Sequence, residues 1–249
     1  MAVPRAKIED NLRRIRENIA GACARAGRSQ REVAIVAVTK AVDAATIRLL
    51  PELGLVDLGE NRVQQLVARA EELRGYFDGR VAAAGACGGA VAMRPPRWHM
   101  IGHLQRNKIK AILGAAEVIH SIDSLRLAED LSARAEQAGV TVEAYIEVNC
   151  SAEPQKSGLP VGAATHMADL ICTLKNFRLL GFMTMAPRVR EAEEARPTFA
   201  RLREVFEEMR RDGTGGPFFQ HLSMGMSQDY TVAVEEGATV LRIGTALFE

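Results

Sequence analysis

Lys40 closes an apolar run, V-A-I-V-A-V-T-K from Val33 to Lys40, and is the first group in this chain that could do covalent chemistry. An amine at the mouth of a buried strand is expected to be partly desolvated, which lowers its pKa toward the neutral, nucleophilic form. Lysines in such settings form Schiff bases with carbonyl compounds. Near the C-terminus two glycine-containing turns offer a partner function: L-S-M-G-M-S from Leu222 to Ser227 and L-R-I-G-T from Leu241 to Thr245. Small turns at strand ends leave backbone N–H groups and hydroxyls free to hold a phosphate. A ligand that answers both descriptions is a phosphorylated aldehyde, so pyridoxal 5'-phosphate (PLP) is the expected cofactor.

Positioning those groups requires a scaffold that brings residue 40 to residues 223–245. Ile8, Leu12, Ile15 and Ile19 recur at helical spacing, so Lys7 to Ala26 reads as an amphipathic helix that Gly27 stops. Short apolar runs follow at 33–39, 56–59, 98–102, 118–122, 142–149, 178–184, 218–224 and 239–243. Helical patterns separate most of them, such as Ser124 to Ala138 and Ala192 to Arg211. Eight strand candidates alternating with helices predict an α/β fold, a (β/α)₈ TIM-type barrel with an extra N-terminal helix, and one domain over residues 1–249. The Gly- and Ala-rich segment 75–97, with Pro95 and Pro96, is expected to be a long connection before the third strand.

Chemistry in such a barrel belongs at the carboxyl ends of the strands. That rule selects Lys40, Glu60 with Asn61, His103, Asn149, Met183 to Met185, Ser223 to Ser227, and Arg242 to Thr245. Lys40 and the two turns then meet across a closed ring despite lying about 200 residues apart in sequence.

The totals exclude other classes. A net charge of +1 gives no field to recruit nucleic acid or an anionic membrane. No apolar run approaches the ~18 residues that span a bilayer, and the first ten residues lack the apolar core of a secretion signal. Cys23, Cys87, Cys150 and Cys172 lie far apart, so reduced thiols and a cytoplasmic location are expected. His99 and His103 are four residues apart, but no carboxylate joins them and no metal site is expected. Met183, Met185, Met224 and Met226 are expected to pack around the ring and core. Arg201, Arg203, Arg210 and Arg211 share a solvated helix face. Lys156, on a loop beyond the fifth strand, is expected at the surface; the sharper hypothesis gives it a part in phosphate exchange.

The motifs together resemble the pyridoxal phosphate homeostasis protein family (YggS/PROSC type), whose barrel is shared with the N-terminal domain of alanine racemase. The resemblance covers nearly the whole chain. It rests on V-A-V-T-K (36–40), L-G-E-N-R-V-Q (58–64), W-H-M-I-G-H-L-Q-R-N-K (98–108), H-S-I-D-S (120–124), E-V-N (147–149), Q-K-S-G-L (155–159), G-F-M-T-M (181–185), L-S-M-G-M-S-Q-D (222–229) and L-R-I-G-T-A-L-F (241–248). It implies that Lys40 carries PLP as a Schiff base. It places Ser223, Ser227 and the backbone of Gly244 and Thr245 on the phosphate, Arg242 at the pyridine nitrogen and Asn61 near the cofactor. A guanidinium discourages protonation of the ring nitrogen, which leaves a poor electron sink. The chain departs from the family pattern at Glu249, where a glycine is expected, and in the length of the 75–97 connection.

Three functions compete. A PLP carrier with no catalytic residue would buffer the cofactor and pass it to apo-enzymes; the chain would then act as a monomer. An amino-acid racemase needs a second base opposite Lys40. The racemases take it from a tyrosine of another domain, and Tyr76, Tyr145 and Tyr230 lie in no matching motif. A Schiff-base lyase acting on a sugar phosphate would use the same lysine without PLP.

Overall fold

A computed structural model of the protein describes residues 2–86, 94–151, 153 and 157–249. Its strands are β1 (Ala34–Val38), β2 (Asp57–Glu60), β3 (Arg97–Met100), β4 (Val118–Ile122), β5 (Val142–Asn149), β6 (Leu159–Pro160), β7 (Phe177–Met183), β8 (His221–Ser223) and β9 (Val240–Ile243). All pairings are parallel. The order β4-β3-β2-β1-β9-β8-β7-β5, with β4 also paired to β5, closes an eight-stranded ring. The short β6 adds to the end of β5 outside that ring. The expected (β/α)₈ barrel is therefore the fold.

The helices are α1 (Arg5–Arg25), α2 (Ala44–Leu49), α3 (Val63–Ala86), α4 (Ile109–Ile112), α5 (Leu125–Ala138), α6 (Val161–Cys172), α7 (Arg196–Arg211), α8 (Tyr230–Glu235) and α9 (Thr245–Phe248). Most of the core lies between strands and helices, where one face of each strand meets the apolar stripe of a helix. α1 buries Ile8, Leu12, Ile15 and Ile19, as its spacing predicts. Asn11 Nδ2 donates to Leu247 O at 3.0 Å and Asn18 Nδ2 to Tyr230 Oη at 2.8 Å, tying α1 to α9 and α8. The first helix thus braces the end of the chain that carries the phosphate-type turn. No described helix is long and apolar enough to cross a membrane.

Two expectations need correction. Residues 75–86 are not an irregular connection but the second half of α3. Leu66, Ala70, Leu73 and Phe77 continue one buried stripe at helical spacing. Gly75 and Gly79 face open space, where a Cβ would meet nothing within 4 Å. Each costs the helix about 1 kcal/mol relative to alanine, and the stripe outweighs that cost. The remainder of the expected connection, residues 87–93 with Cys87, lies outside the described residues. The strand expected at 218–224 is confined to His221–Ser223. Gly215 and Gly216 both have positive φ and Pro217 follows, so the chain is still turning at Phe218.

Candidate functional site

The barrel mouth is assembled from the turns that follow β1, β2, β8 and β9. After β1 the ladder runs one residue further, Thr39 N–H donating to Gly59 O at 2.9 Å. The chain then turns through Lys40 toward α2, and Arg69 of α3 holds that turn from outside the ring. Arg69 Nη1 donates to Thr39 O and Nη2 to Val42 O, both at 2.6 Å, so the carbonyls on either side of Lys40 share one guanidinium. Arg69 is itself paired with Glu60, a fully buried carboxylate that also accepts from Thr39 Oγ1 at 2.5 Å. Burial lifts the Glu60 carboxyl above the ordinary glutamate range, outweighing Thr39 and Arg69. Its Oε2 is buried without a hydrogen-bond partner among the described residues.

Lys40 itself is exposed. The expected partial desolvation is not met, because the residue lies beyond the last ladder position, in the turn rather than in the strand. Asn61, which follows β2, is also exposed at the rim. Its carbonyl lies where a Cβ on Gly102 would stand only 2.2 Å away, so the turns after β2 and β3 meet through a glycine.

Across the seam between β1 and β9, Ser227 Oγ accepts from Gly244 N–H at 3.3 Å and Ala246 N–H at 3.1 Å. Asp229 shapes the same turn by accepting from Met226 N–H at 2.6 Å. Gly225 has φ +94°, and a Cβ there would lie 2.6 Å from Ala233 Cβ, so the small residue is required on both counts. A Cβ on Gly244 would stand 3.4 Å from Val38 Cβ. The turn carrying Gly244 and the exposed Thr245 therefore rests on the strand that leads into Lys40.

Arg242 and Ser223 sit one layer lower, buried inside the ring. Arg242 Nη1 donates to Ser223 O at 2.8 Å and Ser223 Oγ at 2.6 Å, and Nη2 donates to Thr184 O at 2.9 Å. Burial brings this guanidinium down to about 10, although Glu147 and Asp229 pull the other way. The Ser223 hydroxyl is thus engaged by Arg242 and, at 2.9 Å, by His120 Nδ1, apart from Ser227. Glu147, at the lumen end of β5, is pushed up to about 7 by burial. Burial likewise holds His120 well below the ordinary histidine value.

Lys40, Asn61, Ser227, Gly244 and Thr245 are all placed at the carboxyl rim, with Ser223 and Arg242 beneath them. His99 and His103 diverge: His99 points into the lumen, whereas His103 Nδ1 lies 3.2 Å from Asp123 Oδ2 at the rim. Met183 and Met224 are core residues, while Met185 is exposed. Lys156 lies outside the described residues. Arg69, His120 and Glu147 were not singled out from sequence. The available signal was a polar residue at every second position of otherwise apolar strands, as in Glu143, Tyr145 and Glu147 of β5.

A family profile described as alanine racemase, N-terminal domain, matches residues 11–249. A pyridoxal phosphate homeostasis protein of Aquifex aeolicus (strain VF5) is 36% identical over 239 residues, covering 96% of each chain. The chain belongs to the pyridoxal phosphate homeostasis protein family. Among solved structures, a protein of unknown function from Bifidobacterium adolescentis superposes with TM-score 0.86 at 36% identity, covering 98% of this chain and 95% of its own. PipY of Synechococcus elongatus PCC7942, solved with PLP bound, superposes with TM-score 0.78 at 29% identity, covering 97% and 100%. Membership of this homeostasis family extends over the whole barrel, so the rim geometry above belongs to the matched region.

Proposed function

We propose that this chain holds PLP reversibly at the mouth of its barrel and buffers or delivers it, without turning over a substrate of its own. The observation that carries this reading is the packing of Gly244 on Val38, which sets the Ser227 turn beside the strand leading to Lys40. PLP, when bound, supplies an electrophilic aldehyde, an anionic phosphate and an electron-withdrawing ring. Lys40 would hold PLP through its amine, in a linkage that water reverses, as a carrier requires. The Ser227 hydroxyl, whose oxygen accepts from Gly244 N–H, and the Gly244–Thr245 backbone would hold the phosphate, and Asn61 lies at the same rim.

Arg242, which carries only donors, would serve the ring nitrogen and disfavour its protonation, which would weaken the ring as an electron sink. Ser223 serves Arg242 rather than the phosphate, since both side-chain contacts of its hydroxyl lie in the lumen. The placement of the tyrosines argues against racemase chemistry. Tyr145 is buried against His120, Tyr76 packs on Phe77 and Arg48, and Tyr230 is buried beside Asn18. None of them stands at the mouth as a second base. The carrier acts as a cytoplasmic monomer, and apo-enzymes that use PLP are its recipients.

The test is a visible absorption spectrum with added PLP, followed by borohydride reduction and peptide mapping. An imine band with the label fixed on Lys40, and both lost in Lys40→Ala, is the expected result. Label spread over surface lysines, or no band, would overturn PLP binding and favour a sugar-phosphate lyase. Sustained racemisation of an amino acid by the loaded protein would overturn the carrier function.

A further inference from the structure

A continuous row of polar side chains runs up the inside of the barrel. At the floor, His99 Nε2 lies 2.9 Å from Asp57 Oδ1. His99 Nδ1 lies 2.9 Å from His120 Nε2, and His120 Nδ1 lies 2.9 Å from Ser223 Oγ, which accepts from Arg242. The five residues come from β2, β3, β4, β8 and β9, and all but the partly exposed Asp57 are buried.

The direction of each bond follows from the Arg242 end. A guanidinium has no acceptor, so Ser223 Oγ must receive from it. The Ser223 hydrogen then has one remaining partner among its described contacts, His120 Nδ1. His120 is kept neutral chiefly by burial, with the Arg242 charge acting the same way. Its hydrogen therefore sits on Nε2 and points at His99 Nδ1. His99 in turn carries its hydrogen on Nε2 and gives it to the Asp57 carboxylate. Burial works to lift that carboxyl, but the His99 hydrogen bond and the Arg97 charge bring it below the ordinary aspartate value. In this direction every donor of the row meets one acceptor.

We infer that Asp57, His99 and His120 are positioning residues: they orient the Ser223 hydroxyl so that its lone pair holds Arg242 in place beneath the mouth. The inference rests on the proposed PLP site only for what Arg242 is aimed at; the polarity of the row stands without it. A purely structural role for His120 would be to fill space beside Tyr145, whose ring centroid is 4.6 Å away. The two roles predict opposite orders for two substitutions. Phenylalanine keeps the ring and loses both nitrogens, whereas glutamine loses the ring and keeps one donor and one acceptor.

The first arm is long-range ¹H–¹⁵N NMR of histidine in the full chain without ligand, with His120→Gln used to assign the signals. His120 should appear as a neutral Nε2–H tautomer near pH 7.5; His120 found protonated, or as the Nδ1–H tautomer, overturns the polarity. The second arm titrates PLP by absorbance. His120→Phe should weaken PLP by about tenfold, the worth of one buried hydrogen bond, and shift the bound band, while His120→Gln restores most of both. Wild-type affinity and spectrum in His120→Phe would overturn the positioning role. Should His120→Phe not fold, the wild-type tautomers still decide. Wild-type protein that takes up no PLP would remove the proposed function and leave the tautomer result standing.

Discussion

Glu147→Gln tests the electrostatics of the lumen in a way that does not depend on any ligand. The carboxyl is 3% exposed and is pushed up to about 7, by burial first and then by Asp123, with Arg242 and His103 opposing. In the unfolded chain the same group titrates near 4.5. Between those values the folded state binds a proton that the unfolded state has lost. The associated stability is therefore complete below 4.5 and disappears as pH rises through about 7. At ~1.36 kcal/mol per pH unit, the whole loss amounts to about 3 kcal/mol, with about 2.5 kcal/mol of it falling between pH 5 and pH 8. Glutamine has nearly the same volume and cannot ionise, so it removes this dependence. His120 contributes with the opposite sign: its lowered folded value makes stability fall as pH drops below about 6.5. That contribution is common to both proteins and cancels in the difference. Urea unfolding of the wild type and Glu147→Gln at pH 5, 6.5 and 8 is the assay. The variant should gain about 2.5 kcal/mol on the wild type across that range. Parallel pH profiles for the two proteins would refute an ionisation penalty at Glu147.

Other substitutions probe the scaffold. Arg69→Ala leaves Glu60 buried without its cation and frees Thr39 O and Val42 O; it should cost about 3–5 kcal/mol in urea unfolding, and a loss below 1 would mean that the turn is held by other contacts. Gly181→Ala sets a Cβ 1.8 Å from His221 O in the β7–β8 ladder, and a loss of roughly 3 kcal/mol is expected; an unchanged melting temperature would contradict the close approach. Gly75→Ala with Gly79→Ala should stabilise α3, by up to about 1 kcal/mol each. A destabilised double variant would mean that residues 75–86 are not helical.

The order of elements could be read along the chain because each announces itself locally. The apolar runs of β1, β5 and β9 and the spacing of Ile8, Leu12, Ile15 and Ile19 in α1 need no knowledge of neighbours. The rim residues followed from one further rule, that ligand groups gather at the carboxyl ends of parallel strands. The errors had local causes as well. Gly75 and Gly79 masked a helix whose buried stripe continues through Leu73 and Phe77. Lys40 was expected to be partly desolvated because it closes an apolar run; it is exposed in a turn that Arg69 pins through Thr39 O, a contact across 30 residues.

The lumen was not legible, and the reason lies in register. Asp57, His99, His120, Ser223 and Arg242 become a row only because β2, β3 and β4 pair with Gly59 opposite His99 and His99 opposite Val118, and because β8 and β9 close on the far side. No spacing within one strand encodes those offsets. The polar residues at alternate strand positions mark an inner side but do not say which of them meet across strands. On that inner side the charges are handled differently at the two ends. At the floor they are paired directly: Arg97 meets Glu143 at 2.7 Å and Asp57 at 3.7 Å, and Arg178 meets Glu143 at 3.4 Å. Toward the mouth, Arg242 is held by three neutral oxygens, and its nearest acidic influences, Glu147 and Asp229, act through space. A buried guanidinium solvated by neutral acceptors retains its charge at a cost, and its value of about 10 measures that cost. A ligand that brings negative charge to the rim lowers it. In the proposed site the same guanidinium would disfavour a protonated ring nitrogen and favour an anionic phosphate nearby, and both effects would suit the carrier function proposed above.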